Sequence, residues 1–194
     1  MADDIDAWLN LVSEAISTDK HIGPWSGFVW PTHSRRYRAD SSEGSKRYSG
    51  RFNRGLDDNS NTTRWPALYT ACSALIALSE TVRNIQNGHA NRLSNLRLSS
   101  LEVHLDRVLS AHAFTNGKPQ QLFGIDFDRQ CEGSDYHATH EFARLVRDRA
   151  EGMLVPSCSG LHQGNLIIFS DRMAADSVIN VVESINLSLV KWEP

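Results

Sequence analysis

The side chains best suited to chemistry are an arginine and a glutamate in two ordered segments of the chain. Arg51 stands in Gly50-Arg51-Phe52-Asn53, and Glu80 follows the strand-like run Ala67-Leu68-Tyr69-Thr70. An arginine presents a planar fork of donors that matches phosphate oxygens, and a carboxylate stabilises a developing sugar cation. If the two meet in one pocket, they support cleavage of a glycosidic bond in a nucleotide. Two ordinary surface charges are the alternative that these residues leave open.

The segment around Arg51 is rich in glycine and in basic residues. Gly50 and Gly55 flank the arginine, and glycine allows a close approach of the main chain to a ligand. Between His33 and Trp65 there are eight lysines and arginines against four acidic residues, although the whole chain carries a net charge of −3. A local basic region in an acidic protein favours a small phosphorylated ligand over a nucleic-acid duplex. A solvated basic loop explains the charge equally well.

Tyr69 and Ser157 are further candidates because each stands at the end of an apolar run. Tyr69 would point into the same cleft as Glu80, although a tyrosine at such a place is more often part of the core. Ser157 follows the run 153–156, at the strand edge where α/β folds collect site residues. It lacks the Gly-x-Ser-x-Gly context of a hydrolase nucleophile, and a turn at the end of the strand is the simpler explanation.

His137-x-x-His140-Glu141 has helical spacing that could suggest a metal site. The order His-Glu-x-x-His and a clear third ligand are both missing, so no metal is predicted. Cys158 has no partner base nearby in the sequence and is interpreted as structural. The three cysteines are widely spaced, which argues against disulfides or structural zinc and favours a reducing cytoplasm.

The elements that must position these residues alternate between helix and strand patterns. Gly23-Pro24 is expected to break the chain, and 33–66 to form a long irregular segment with one short strand near 48–52. The patterns predict a single α+β domain over 1–194, with a mixed sheet flanked by helices. Apolar periodicity predicts helices over about 4–17, 73–87 and 134–150, strands over 27–30, 66–70, 96–109, 153–156 and 165–169, and a C-terminal strand region at 178–192.

The composition is that of an ordinary globular chain. Its 194 residues are enough for one domain with a sizeable core, and 40% of them are hydrophobic. The acidic N-terminus is unlike a signal peptide, and no apolar run approaches the roughly 20 residues of a membrane span. We therefore expect a cytoplasmic protein without membrane contact or direct nucleic-acid binding.

Three blocks in the same order resemble the RES domain family, which is named for an arginine, a glutamate and a serine. The first is Gly50-Arg51-Phe52-Asn53, followed by Gly55. The second runs from Ala67-Leu68-Tyr69-Thr70 to Ala77-Leu78-Ser79-Glu80. The third is Gly152-Met153-Leu154-Val155-Pro156-Ser157, followed by Gly164-Asn165-Leu166-Ile167-Ile168-Phe169. The resemblance covers about 27–169, most of the chain.

The resemblance implies a bacterial toxin of a toxin–antitoxin pair, with an ADP-ribosyltransferase-like fold. Members of the family consume NAD by hydrolysis or phosphorolysis, and some transfer ADP-ribose to a protein. NAD is then a substrate and not a prosthetic group, and the usual partner is an Xre-like antitoxin that blocks the site. Carried over by position, Arg51, Glu80 and Ser157 are the catalytic residues, Tyr69 is a pocket tyrosine, and Asn53 joins the binding group.

The sequence departs from the family pattern in two places. An insertion at 56–65 separates the first two blocks. Pro31 stands about where the family carries an arginine at the end of the first strand. Arg35 or Arg36, with Tyr37 beside them, is expected to substitute for that arginine in binding the diphosphate.

Three functions follow from these residues and from the resemblance. The first is cleavage of the nicotinamide–ribose bond of NAD, in which Glu80 stabilises an oxocarbenium-like transition state. The second is a protein ADP-ribosyltransferase, in which a protein side chain replaces water or phosphate as the acceptor. The third, suggested by Pro31, is a degenerate module that binds a nucleotide or a partner without turnover.

Overall fold

The computed structural model describes residues 2–58, 63–86, 93–114, 121–122, 125–126, 136–157 and 164–187. Its helices are α1 (Ala2–Ser17), α2 (Glu43–Arg47), α3 (Ala74–Gln86) and α4 (His137–Arg147). Its strands are β1 (Ile22–Val29), β2 (Thr32–Ser34), β3 (Leu68–Ala71), β4 (Leu96–Ser110), β5 (Gln121–Leu122), β6 (Ile125–Asp126), β7 (Gly152–Val155), β8 (Asn165–Ile168) and β9 (Val178–Asn186). None of the described helices is both long enough and apolar enough to cross a membrane.

One long strand, β4, organises the main sheet. β1 and β2 pair with one side of it, and β9 and β7 pair with the other. Leu101, Val103 and Leu105 are buried while Glu102 and His104 are exposed, which is the period-two pattern of a strand with one covered face. β4 and β7 are parallel and the other pairs of this sheet are antiparallel. The predicted mixed sheet in an α+β domain is therefore confirmed.

The main sheet has the strand order β1-β4-β7-β8-β3, and its two edge strands, β1 and β3, approach each other. Trp30, directly after β1, exchanges two backbone hydrogen bonds with Ala71 at the end of β3, at N···O distances of 2.8 and 3.1 Å. We call this point of closure, defined by Trp30 and Ala71, the seam. Because the edges of the sheet meet there, the sheet must curve strongly, and it leaves a concave surface beside the seam.

Apolar side chains are buried on both faces of the sheet. On one face, Phe142 and Val146 of α4 and Val12 of α1 pack in one cluster with Met153 and Ile167. A second cluster, formed by side chains of β1, β3, β4 and β8, covers the other face. All four residues of β8 are buried, which explains its continuous apolar sequence. Each large apolar side chain buried in this way contributes roughly 1.5–3 kcal/mol.

The helices agree with their sequence signals. α1 ends at Ser17, and Asp19 then adopts a left-handed conformation with φ 52°, which stops the helix. Ser73 caps α3 as predicted, because its Oγ accepts a hydrogen bond from the Ile76 N–H at 3.3 Å. Ile76 and Ala77 are the buried side chains of the first turn of α3, and they anchor this helix to the core.

Three predictions about local structure are wrong or incomplete. Gly23-Pro24 does not break the chain, since β1 runs through it with an irregular register between Gly23 and Trp25 that accommodates the missing N–H of proline. The segment 33–66 is not irregular throughout, because it contains α2, and a turn replaces the strand predicted near 48–52. β9 ends at Asn186, and the predicted continuation from 188 lies outside the described residues.

Candidate active site

A cleft of about 240 Å³ opens beside the seam. Trp30 and Ala71 form part of its wall, and α3 forms another part. This volume is below the roughly 300–1,000 Å³ of sites for drug-sized ligands, so the cleft is large enough for a small group and not for a whole large ligand. Its polar lining includes Thr32, Tyr69, Glu80, Thr81, Asn84 and Asn165.

Glu80 is held in this cleft by two donors from distant parts of the chain. Its Oε1 accepts hydrogen bonds from Ser157 Oγ at 2.7 Å and from Asn165 Nδ2 at 2.8 Å. Ser157 follows β7 and Asn165 begins β8, so neighbouring strands deliver the two donors to one carboxylate oxygen. The sequence therefore identified two members of a real cluster, and the structure adds Asn165 as the third. Such charge-assisted bonds fix the orientation of the carboxylate.

Arg51 lies in a tight turn, residues 49–55, which we call the arginine turn. Gly50 and Asn53 exchange backbone hydrogen bonds at 3.2 and 3.4 Å across it. Burial lowers the pKa of the Arg51 guanidinium below its ordinary value, and the nearby charge of Glu80 acts in the opposite direction. Arg51 therefore lies within electrostatic range of Glu80, although it is not among the described residues that line the cleft.

Three polar atoms around this site are buried without a hydrogen-bond partner among the described residues. They are Thr32 Oγ1, Arg51 Nε and Asn165 Oδ1. An unsatisfied buried polar group costs roughly 1–3 kcal/mol, and more when the group is charged. Thr32 and Asn165 line the cleft, so two of these atoms are placed where a polar ligand could bond to them.

The arginine turn has no room for a side chain at Gly50. A Cβ there would lie 2.7 Å from Asn53 Oδ1 and 2.8 Å from the Tyr69 hydroxyl oxygen. These two atoms are hydrogen-bonded to each other at 2.9 Å, and the same hydroxyl accepts the Phe52 N–H at 2.8 Å. The glycine that the sequence suggested for ligand access therefore serves the internal packing of the turn.

Asn53 does not line the cleft, contrary to its predicted place among the binding residues. Its side chain is almost completely buried, and Nδ2 donates to the carbonyls of Ser45 at 2.6 Å and Tyr48 at 2.9 Å. Since Oδ1 accepts from Tyr69, both ends of the amide hold the turn together. Asn53 is consequently a structural residue of the arginine turn.

The hydroxyl and the ring of Tyr69 lie in different environments. Its hydroxyl is buried in the hydrogen bonds just described, and this burial raises the pKa of the phenol above its ordinary value. Its side chain is nevertheless 37% exposed and lines the cleft. The predicted position of Tyr69 at the cleft of Glu80 therefore agrees with the structure, and its ring lies where a ligand in the cleft would contact it.

Arg35, Arg36 and Tyr37 do not contribute to the described lining of the cleft. The two arginines are exposed on the loop that follows β2. Tyr37 is turned towards α2, because a Cβ at Gly44 would lie 4.0 Å from its ring. Arg83 does not line the cleft either, but its positive charge is near enough to Arg51 to contribute to lowering the pKa of Arg51.

Sequence reasoning missed Arg83 and Asn84, although their spacing carried a signal. Residues three and four positions apart in a helix lie on the same side, and these two follow Glu80 by that spacing in α3. Asn165 carried no local signal, because its bond to Glu80 depends on the pairing of β8 with β3 and β7.

The motif His137-x-x-His140-Glu141 does not form a metal centre in the structure. No group of three or more His, Cys, Asp or Glu that could hold a metal occurs in the part of the chain that the structure describes. His137 is exposed, while His140 Nε2 is hydrogen-bonded to the Gly50 carbonyl oxygen at 2.8 Å. Cys158, interpreted as structural, lies outside the described residues.

Comparisons with known proteins agree with this geometry. The fold matches a chain in the crystal structure of the MbcT–MbcA toxin–antitoxin complex of M. tuberculosis, with a TM-score of 0.66, 18% sequence identity, and coverage of 90% of this chain and 91% of that chain. No curated protein sequence gives a significant match. The sequence profile of the RES domain matches residues 28–189. Because this match spans most of the chain and includes Arg51, Glu80 and Ser157, the protein belongs to the RES domain family.

Proposed function

We propose that the protein cleaves the bond between nicotinamide and ribose in NAD and acts as the toxin of a toxin–antitoxin pair. The observation that carries the proposal is the carboxylate of Glu80, oriented by Ser157 and Asn165 in a cleft beside a buried arginine. Family membership and the fold shared with a chain of a toxin–antitoxin complex support the toxin role. An antitoxin that covers the cleft, of Xre type by the family resemblance, is the partner that we propose.

The chemistry requires little beyond a well-placed negative charge. Nicotinamide leaves as a neutral molecule from a cationic ring, so its departure needs no strong general acid. The ribose then carries an oxocarbenium-like positive charge, which a fixed carboxylate stabilises more than it stabilises the substrate. Glu80 occupies that role, and the exposed part of the Tyr69 ring offers an apolar surface for the nicotinamide. Water or phosphate is the acceptor in this proposal.

Incubation of the purified protein with NAD, followed by chromatography of nicotinamide and ADP-ribose, tests the proposal. We expect both products in equal amounts, or nicotinamide with ADP-ribose-1″-phosphate when phosphate is the acceptor. Label from NAD that appears on a protein band, with little free ADP-ribose, would show a protein ADP-ribosyltransferase instead. Binding of NAD without any nicotinamide release would show a degenerate module.

We propose that Arg51 and Arg83 together hold the diphosphate. Two like charges held close together repel each other, and an anion between them removes this cost. Pro31 supplies no charge at this place, and its carbonyl oxygen accepts the Ser99 N–H at 3.1 Å. Arg83 therefore takes the part that the sequence assigned to Arg35 or Arg36.

Replacement of Arg83 by glutamine is expected to raise KM for NAD about tenfold, since a hydrogen bond to a charged group contributes roughly 1.5–3 kcal/mol. Steady-state kinetics of nicotinamide release measure the effect. Arg38→Gln is the matched control, because Arg38 is exposed and pairs with Asp40 at the surface. Equal KM values for the Arg83 variant and the wild type would remove Arg83 from the diphosphate site.

A further inference from the structure

The two peptide groups on either side of Arg51 are each held by a side chain from another element. The carbonyl oxygen of Gly50, which belongs to the peptide bond before Arg51, lies 2.8 Å from His140 Nε2. The N–H of Phe52, which belongs to the peptide bond after Arg51, donates to the Tyr69 hydroxyl at 2.8 Å. Arg51 is thus held at both of its peptide bonds, from α4 on one side and from β3 on the other.

This arrangement sets the direction in which the Arg51 side chain leaves the backbone. Peptide groups are planar, so only the two backbone dihedrals of Arg51 connect the plane before it to the plane after it. When both planes are fixed, those dihedrals are fixed too, and with them the direction of the Cα–Cβ bond. A buried arginine whose Nε has no partner among the described residues depends on such backbone positioning, because hydrogen bonds at Nε do not supply it.

The environment of His140 suits it to this task. Burial lowers the pKa of its imidazole below the ordinary value, so the ring is neutral at neutral pH, and Nε2 must carry the proton to donate to a carbonyl. The ring centroid lies 6.0 Å from the Trp65 ring, edge-on, and 5.8 Å from the Tyr136 ring. The next residue of α4, Glu141, accepts a hydrogen bond from Arg54 Nη2 at 2.8 Å. This bond is a second link between α4 and the arginine turn, in addition to that of His140.

We propose that His140 is a positioning residue, which holds the Gly50–Arg51 peptide through Nε2 so that the Arg51 guanidinium is preorganised for the anionic part of the substrate. The inference rests on the proposed function, in which that part is the diphosphate of NAD. It gives the His-x-x-His-Glu motif a role in the site without a metal.

Two substitutions of His140 separate the hydrogen bond from the packing of the ring. Phenylalanine keeps an aromatic ring against Trp65 and Tyr136 but donates no hydrogen bond. Glutamine places an amide N–H near the position of Nε2 and so retains the donor. His137→Gln is the matched control, since His137 is exposed one turn earlier in the same helix.

The kinetic prediction is a change in KM. Arg51 holds the diphosphate in both the ground state and the transition state, so a misdirected Arg51 weakens binding without slowing the bound substrate. We expect His140→Phe to raise KM for NAD about tenfold with kcat within about twofold, and His140→Gln and His137→Gln to keep the KM of the wild type. A purely structural role would lower the active fraction, and therefore kcat, at unchanged KM, and that result would overturn the proposal.

Hydrogen exchange tests the positioning without any turnover. In His140→Phe the amide protons of the arginine turn should exchange faster, while those of α3 keep their protection, and His140→Gln should restore the slow exchange. Unchanged exchange in the turn overturns the proposal, and so does faster exchange in both variants. If the wild type releases no nicotinamide, the proposed function fails, while the exchange data still decide whether His140 holds the turn.

Discussion

Glu80→Gln is expected to lower kcat for nicotinamide release by about a hundredfold or more, the usual scale for removal of one key electrostatic group. The glutamine carbonyl still accepts hydrogen bonds, so Ser157 and Asn165 keep a partner and the side chain keeps its place. The negative charge that stabilises the sugar cation is what disappears. KM should change little, because that charge acts mainly in the transition state.

Rates measured at saturating NAD check this expectation, with thermal unfolding to show that the variant is folded. Glu102→Gln is a suitable control, because Glu102 is exposed on β4 and the same charge is lost there. Equal kcat for Glu80→Gln and the wild type would remove Glu80 from the catalytic role.

Tyr69→Phe should lower the free energy of unfolding by about 2 kcal/mol or more. The change deletes one hydroxyl and removes two hydrogen bonds, one from the Phe52 N–H and one to the Asn53 Oδ1. Loss of a hydrogen bond by a buried polar group costs roughly 1–3 kcal/mol. The ring remains, so any stacking surface in the cleft is preserved, and a change in KM would report the loosened arginine turn.

Urea unfolding of the wild type and the variant measures this difference. Tyr48→Phe provides the comparison, since Tyr48 is 70% exposed. A Tyr69 variant with the unfolding midpoint and slope of the wild type would show that the hydroxyl does not hold the turn.

The elements around the site differ in how well their sequences predicted them. β4 and α3 were located closely, because the apolar period and the Ser73 cap are local properties of the chain. Residues 48–52, which overlap the arginine turn, were predicted as a strand, whereas the turn is held by its own Gly50–Asn53 pair and by Tyr69 and His140. No short window of sequence contains these partners.

The predicted site residues also differ in how well their sequence context predicted their contacts. Arg51, Glu80 and Ser157 were selected for their chemistry and their order in three blocks. The structure joins Ser157 to Glu80 by a hydrogen bond and places the charge of Glu80 within electrostatic range of Arg51. Asn53 was selected from the first block as well, but its amide is used inside the turn. Residue type states which bonds a side chain can form, and only its neighbours in space determine which of them it does form.

The chain alone was therefore enough for the fold class and the core strands, since these follow from local periodicity. It was not enough for the connections within the site. Ser157 and Asn165 lie 77 and 85 residues from Glu80 along the chain, and His140 lies 90 residues from Gly50. Strand order and the packing of α4 bring these pairs together. A hydrogen bond forms only between groups that are close in space. For residues far apart in the sequence, that proximity is set by the packing of the whole domain and not by any one segment.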